Sequence, residues 1–216
     1  MVSTIRTLTT NTWVKGSWDD FMALLDSPET QGNSKNIRTY YDSGWMRIET
    51  MPIGSAHGQD NSILASALSL YTTLKSITYV SFTGSNFRKL GERECQPNLA
   101  YYIGESIQRP QKNNQAVDID IYGPPTLAIE ISATTLEDDL GPKRLLYERL
   151  GVQEYWVVNV EAAEVIAFKM EDGGSRQIKT SSALPGLSIN IIEEALQRST
   201  TEDDGTINRW LFQQFG

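Results

Sequence analysis

Glu130 stands in the run Leu127, Ala128, Ile129, Glu130, Ile131, where every neighbour is apolar. Burying an unpaired carboxylate is costly, so the position demands a partner: a metal ion, a lysine or backbone donors. An acid so placed is a functional-site candidate for that reason. Asp118 and Asp120 lie just upstream and, two residues apart, share one face if this segment is extended. Lys143 falls in the first turn of a helix opened by Gly141 and Pro142, where the macrodipole disfavours a cation. Tyr147 follows four residues later on the same face. A crossover from the Glu130 strand into that helix would let the lysine reach back, bringing carboxylate and ammonium to one point. The plain alternative is an Asp139–Lys143 surface pair with Glu130 satisfied separately, and the residue pattern alone leaves both open.

Other chemistry-bearing residues are isolated. His57 is the only histidine, and a single imidazole makes no metal site without partners; a role at a helix start or in packing is the simpler reading. Glu49, in the run Met46 to Met51, could point to the site from a hairpin or be an edge-strand surface acid. Cys95 is the only cysteine, which rules out an intrachain disulfide and suits a reducing cytoplasm. Beside Glu94 it lacks the electropositive setting of a nucleophile. The tryptophans at 13, 18, 45, 156 and 210 are too scattered for a base-stacking platform and read as core anchors.

The elements that must position these residues follow from periodicity and punctuation. Thr126 to Ile131 and Tyr155 to Val158 are buried-type strands, and the intervening helix runs to Leu150 with Gly151 as its stop. Strand, helix and strand make a βαβ unit with a right-handed crossover and parallel strands. Upstream, Ser17 caps a short helix, Ile37–Tyr41 and Trp45–Met51 form a hairpin ended by Pro52 and Gly54, and a broad apolar stripe predicts a helix over residues 59–77. Thr78–Phe82 and Leu99–Ile103 read as strands, and Gly104–Ala116 as the longest loop. Downstream come a hairpin of Val165–Met170 and Arg176–Thr180 and two helices, near Ile191–Arg198 and Ile207–Phe215. The expectation is one α/β domain over residues 1–216, a mixed central sheet flanked by helices, with residues 1–12 loosely ordered.

Composition narrows the partners. The 216 residues, 39% hydrophobic and 21% charged, belong to an ordinary globular chain, and the apolar stretch at Ile63 to Leu74 is too short and too interrupted to span a bilayer. A polar, threonine-rich start does not resemble a secretory signal. A net charge of −8 argues against salt-driven nucleic-acid binding over the whole surface. A local contact through Arg88, Lys89 and Arg93 remains open, against the reading of these as solvated strand-end charges.

The segments RECQPNLAYYIG, PPTLAIEIS and DDLGPKRLLYERLGVQEYWVVN resemble a bacterial restriction-endonuclease family of the PD-(D/E)XK nuclease superfamily. The resemblance runs from about Tyr40 to the C-terminal helix, and GVQEYWVV is its most specific part. It implies a restriction-endonuclease-like fold in which two acids on adjacent strands hold magnesium, with manganese as a substitute. A lysine then orients the water that attacks a DNA phosphodiester. Glu130 corresponds to the second carboxylate. The lysine usually lies two residues later on the strand, where this chain has Ser132, and the family's helical position for it is Lys143. His57 falls where the family often has a histidine. The first acid departs from the pattern: Pro97-Asn98 stands in place of Pro-Asp, and an amide is a neutral, weaker ligand. Either the metal site is weakened, or Asp118 or Asp120 supplies the charge, or this copy is not a nuclease. The implied function is a metal-dependent DNA endonuclease, with a homodimer suiting the cutting of two antiparallel strands. Its rival is a weakened or inactive member that binds nucleic acid or protein.

Overall fold

The computed structural model describes residues 10–33, 37–51, 54–171 and 173–216. β1 (Val14–Lys15) leads into α1 (Trp18–Leu25), which starts at a reciprocal capping box. In it Ser17 Oγ accepts from Asp20 N, and the Asp20 carboxylate accepts from Ser17 N at 2.8 Å. Next come α2 (Pro28–Asn33), the hairpin of β2 (Ile37–Asp42) and β3 (Trp45–Thr50), and the long α3 (Ser55–Leu74). β4 (Tyr79–Thr83), β5 (Phe87–Lys89), β6 (Arg93–Cys95), β7 (Leu99–Ile103) and β8 (Val117–Asp118) precede a single turn, α4 (Ile119–Tyr122). β9 (Leu127–Ser132), α5 (Leu136–Leu140), α6 (Pro142–Leu150) and β10 (Glu154–Asn159) form the crossover unit. The chain closes with β11 (Glu164–Glu171), β12 (Gly174–Ile178), α7 (Ile189–Arg198) and α8 (Asp204–Phe215).

The expected α/β class and flanking helices are present, but the described strands form two six-stranded sheets rather than one. One runs β12-β11-β10-β9-β7-β4, and the other β1-β3-β2-β6-β5-β8. The second exists because the β2–β3 hairpin pairs with β6, so short strands around Arg88 and Arg93 extend it. β9 is internal, parallel to β10 with Glu130 opposite Val157, and antiparallel to β7 with Ile129 opposite Leu99. α6 ends as expected at Gly151, whose φ of +86° is left-handed.

Alternation along β9 decides where Glu130 faces. Leu127, Ile129 and Ile131 pack with α3, α7 and α8 residues such as Leu64, Ile192 and Leu211. Ala128 shares the opposite face with Tyr155, Val157, Leu146 and Tyr147, and with Tyr40 of the second sheet. Glu130 follows Ala128 on this face, between α6 and β2. Both faces of the strand are covered, which is why its sequence is almost continuously apolar.

Several boundaries differ from the sequence reading. α3 begins four residues early, at Ser55, and β12 sits two residues upstream of the expected strand. α2 and α5 are too short for a periodic signal. Asp118 and Asp120 do not share a strand face, because the chain turns into α4 at Ile119. Pro52, expected to end the hairpin, and residues 1–9 of the segment expected to be loosely ordered lie outside the described residues. Thr10 forms a bridge with Ile48. Among the described residues no helix is long and apolar enough to cross a membrane.

Candidate active site

The Glu130 carboxylate is buried and satisfied by side chains from two neighbouring elements, β2 and α6. Its Oε1 accepts from Tyr147 Oη of α6 at 2.7 Å and from Tyr40 Oη of β2 at 3.1 Å, while Oε2 faces Arg38 Nη1 at 3.6 Å. Burial is the main influence on its acidity and pushes it up to about 7, against the pull of Lys143 and Arg38. Burial, reinforced by Glu130, raises both phenols well above their ordinary value, so they are donors to the carboxylate.

Lys143 is also buried, but its direct partners differ from the expected one. Its ammonium lies 2.7 Å from Glu49 and 2.8 Å from Asp139, over the Tyr40 ring at 4.2 Å. Burial alone would lower its pKa; Glu130, Asp139 and Glu49 together hold it above the ordinary lysine value. The Asp139–Lys143 pair therefore exists, yet in the interior rather than on the surface. Glu49 is held in turn by Arg47 Nε at 2.8 Å, and Arg47 Nη2 reaches Asp138 at 2.8 Å.

Asn98 is oriented by its neighbours. Its Oδ1 accepts from Arg38 Nη1 at 2.6 Å and from the Ile131 amide at 3.0 Å, so Nδ2 must face His57 Nε2, 2.8 Å away. Since Nδ2 can only donate, that ring nitrogen must accept and carry no proton. Burial and the Arg38 charge lower the His57 pKa, consistent with a neutral ring.

Of the residues named from sequence, Glu130, Lys143, Asn98, His57, Glu49 and Tyr147 thus converge on one buried network. Asp118 and Asp120 do not join it. Asp118 Oδ1 caps α4 by accepting from Asp120 N at 2.9 Å, and Asp120 is exposed. The row Tyr41, Glu94, Arg88, Asp118 separates Asp118 from β2 by three strand spacings, about 14 Å. Arg38, Tyr40, Arg47 and the buried role of Asp139 escaped the sequence reading. The signal was present in the hairpin: Arg38 opposes Glu49 and Tyr40 opposes Arg47, placing charges at period two in strands with a buried face.

These residues do not fit a magnesium site. A hard divalent cation needs several free oxygen ligands. Here Asn98 Oδ1 is taken by Arg38 and a backbone amide, and the Arg38 guanidinium lies between Asn98 and Glu130. Among the described residues no group of three or more His, Cys, Asp or Glu is arranged to hold a metal. The basic cluster is likewise engaged: Arg88 with Glu94, Lys89 with Glu92, and Arg93 with Asp42 and Glu92.

The comparisons with known proteins agree with this architecture. A crystal structure described as "a putative nuclease belonging to DUF820" from Anabaena variabilis ATCC 29413 superposes with a TM-score of 0.52. It is 15% identical, and the match covers 91% of this chain and 99% of that one, which establishes likeness of fold. No curated protein matches the chain. The Uma2 family model, described as "Putative restriction endonuclease", matches residues 18–208, so the chain belongs to that restriction-endonuclease-like family of PD-(D/E)XK type.

Proposed function

We propose that this chain is a nuclease-fold protein that binds nucleic acid and hydrolyses it weakly or not at all. The observation that carries this reading is the closed site. The cavity bounded by Arg38, Glu49, Glu130 and Lys143 has a volume of about 10 Å³, space for about one water. A phosphodiester with a hydrated ion cannot enter without expelling the Lys143 ammonium from between two carboxylates. The small cavity supports weak or absent hydrolysis, because phosphodiester hydrolysis by a metal-activated water, the chemistry the fold family performs with magnesium, needs room for both the ester and a hydrated ion.

Family membership supports nucleic acid as the ligand class. A separate cleft of about 510 Å³ is lined by the carboxamides of Asn114 and Gln115 and by those of Asn86, Gln96 and Asn113, which already bond Glu94, the Gly84 carbonyl and the Gln115 amide, with Arg88 at its wall. Carboxamides of this kind suit the edges of unpaired bases. Binding through them should depend weakly on salt, because Arg88, the cation at the cleft wall, is paired with Glu94.

The test is fluorescence anisotropy of labelled duplex and single-stranded DNA and RNA at about 50 and 200 mM salt, the range over which phosphate-driven binding falls steeply, run beside a cleavage assay with Mg or Mn. Binding without cleavage is expected. Vigorous metal-dependent cleavage that disappears in Glu130→Ala would overturn the proposal. A protein partner is the second reading, favoured by the net charge of −8 and by the ion pairs that neutralise Arg88, Lys89 and Arg93; absence of binding to every nucleic acid would support it.

A further inference from the structure

We infer that Arg38 is a resident cation standing in the place of the divalent metal, and that Arg38 and Asn98 act as a matched pair to exclude one. The inference deepens the non-hydrolysing reading of the same site and rests on it. One guanidinium nitrogen, Nη1, lies 2.6 Å from Asn98 Oδ1 and 3.6 Å from Glu130 Oε2, the two side chains the fold offers to an ion. A magnesium ion about 2.1 Å from both oxygens would collide with that group and place a second positive charge beside it.

The identity of residue 98 fits the arginine rather than a metal. An amide oxygen is sufficient for a guanidinium, and the amide nitrogen simultaneously donates to His57 Nε2 at 2.8 Å. An aspartate could make that second bond only by accepting from the other neutral tautomer of His57, with its proton on Nε2. With Arg38 still present, an aspartate at this position would form an ion pair with it, and an entering metal would still meet that guanidinium beside its ligand. Asn98 alone is therefore not what keeps metal out, and Asn98→Asp alone does not restore a site.

The experiment is a calorimetric titration of the full chain with Mn(II), with the loss of the free Mn(II) paramagnetic resonance signal as a second readout. The unmodified chain and Asn98→Asp should bind Mn(II) at least tenfold more weakly than Arg38→Ala/Asn98→Asp. Adding Glu130→Ala to the double variant should abolish the gain. The inference fails if Asn98→Asp alone binds within threefold of the double variant, if the double variant binds no better than the unmodified chain, or if its gain survives Glu130→Ala. Should the double variant be unfolded without metal, Mn(II) must restore its far-ultraviolet circular dichroism, and failure to do so counts against the inference. No nucleic acid is present in these measurements. Loss of the nucleic-acid-binding reading therefore leaves them unchanged, and their failure leaves any measured nucleic-acid affinity standing.

Discussion

Tyr147, one turn after Lys143 on α6, donates its phenolic proton to Glu130 Oε1 over 2.7 Å. A hydrogen bond to a buried charged acceptor is worth more than one between neutral groups. Tyr147→Phe should therefore destabilise the protein by about 1–3 kcal/mol at about pH 8, where Glu130 is ionised. The loss should be smaller at about pH 5, where Glu130 is protonated. Urea unfolding midpoints at the two pH values check this, and equal losses would mean that the phenol contributes packing alone.

Glu130 itself gives a pH dependence with a definite sign. Its folded-state value, about 7, lies above the ordinary 4.5, so between these values the native state binds more protons than the unfolded one. Stability from this group is fully present below about 4.5 and is lost as pH rises towards 7, by roughly 3 kcal/mol in all. Glu130→Gln should flatten that fall. Guanidinium unfolding from about pH 4.5 to 8 is the measurement, and an unchanged pH slope in the variant would contradict it.

Lys143 neutralises Glu49 and Asp139, both buried. Lys143→Met fills similar space and removes the charge, leaving Asp139 without its cation and Glu49 with Arg47 alone. A loss of about 3–5 kcal/mol is expected near pH 7. Thermal unfolding near pH 7 reads the loss, and a variant as stable as the unmodified chain would contradict it.

Another buried carboxylate, Glu154 at the start of β10, takes no part in the candidate site and ties down the 181–184 turn. It accepts from Trp156 Nε1 at 2.6 Å, from Ser181 Oγ at 2.7 Å, and from the Ser182 and Ala183 amides at 2.7 and 2.9 Å. Glu154→Ala strands these donors and should cost at least about 3 kcal/mol. Hydrogen exchange should show the amides of residues 182 and 183 losing protection before the rest of the molecule. Uniform loss across the β-sheet would contradict a local anchoring role.

What the sequence determined by itself was local or set by a repeating pattern. The nearly continuous apolar run of Leu127–Ser132, the Gly141-Pro142 opening and the Gly151 stop specify strand, helix and strand, because each depends on neighbours within a few residues. Glu130 and Lys143 were legible as candidates for the same reason: each is locally out of place, one among apolar residues and one against its helix dipole. Tertiary structure alone decided their partners. Sheet pairing between β2 and β6 helps carry Arg38, Tyr40 and Glu49 to a strand far away in the chain, and no local pattern encodes that meeting. It also set the surroundings of the residues named for the missing charge. The turn into α4 directs Asp118 to cap that helix, while Arg38 enters the space between Asn98 and Glu130. The physical reason is that a buried carboxylate must be matched by whatever donor or cation the fold brings within reach, and that is fixed by long-range register rather than by the residues beside it in the chain.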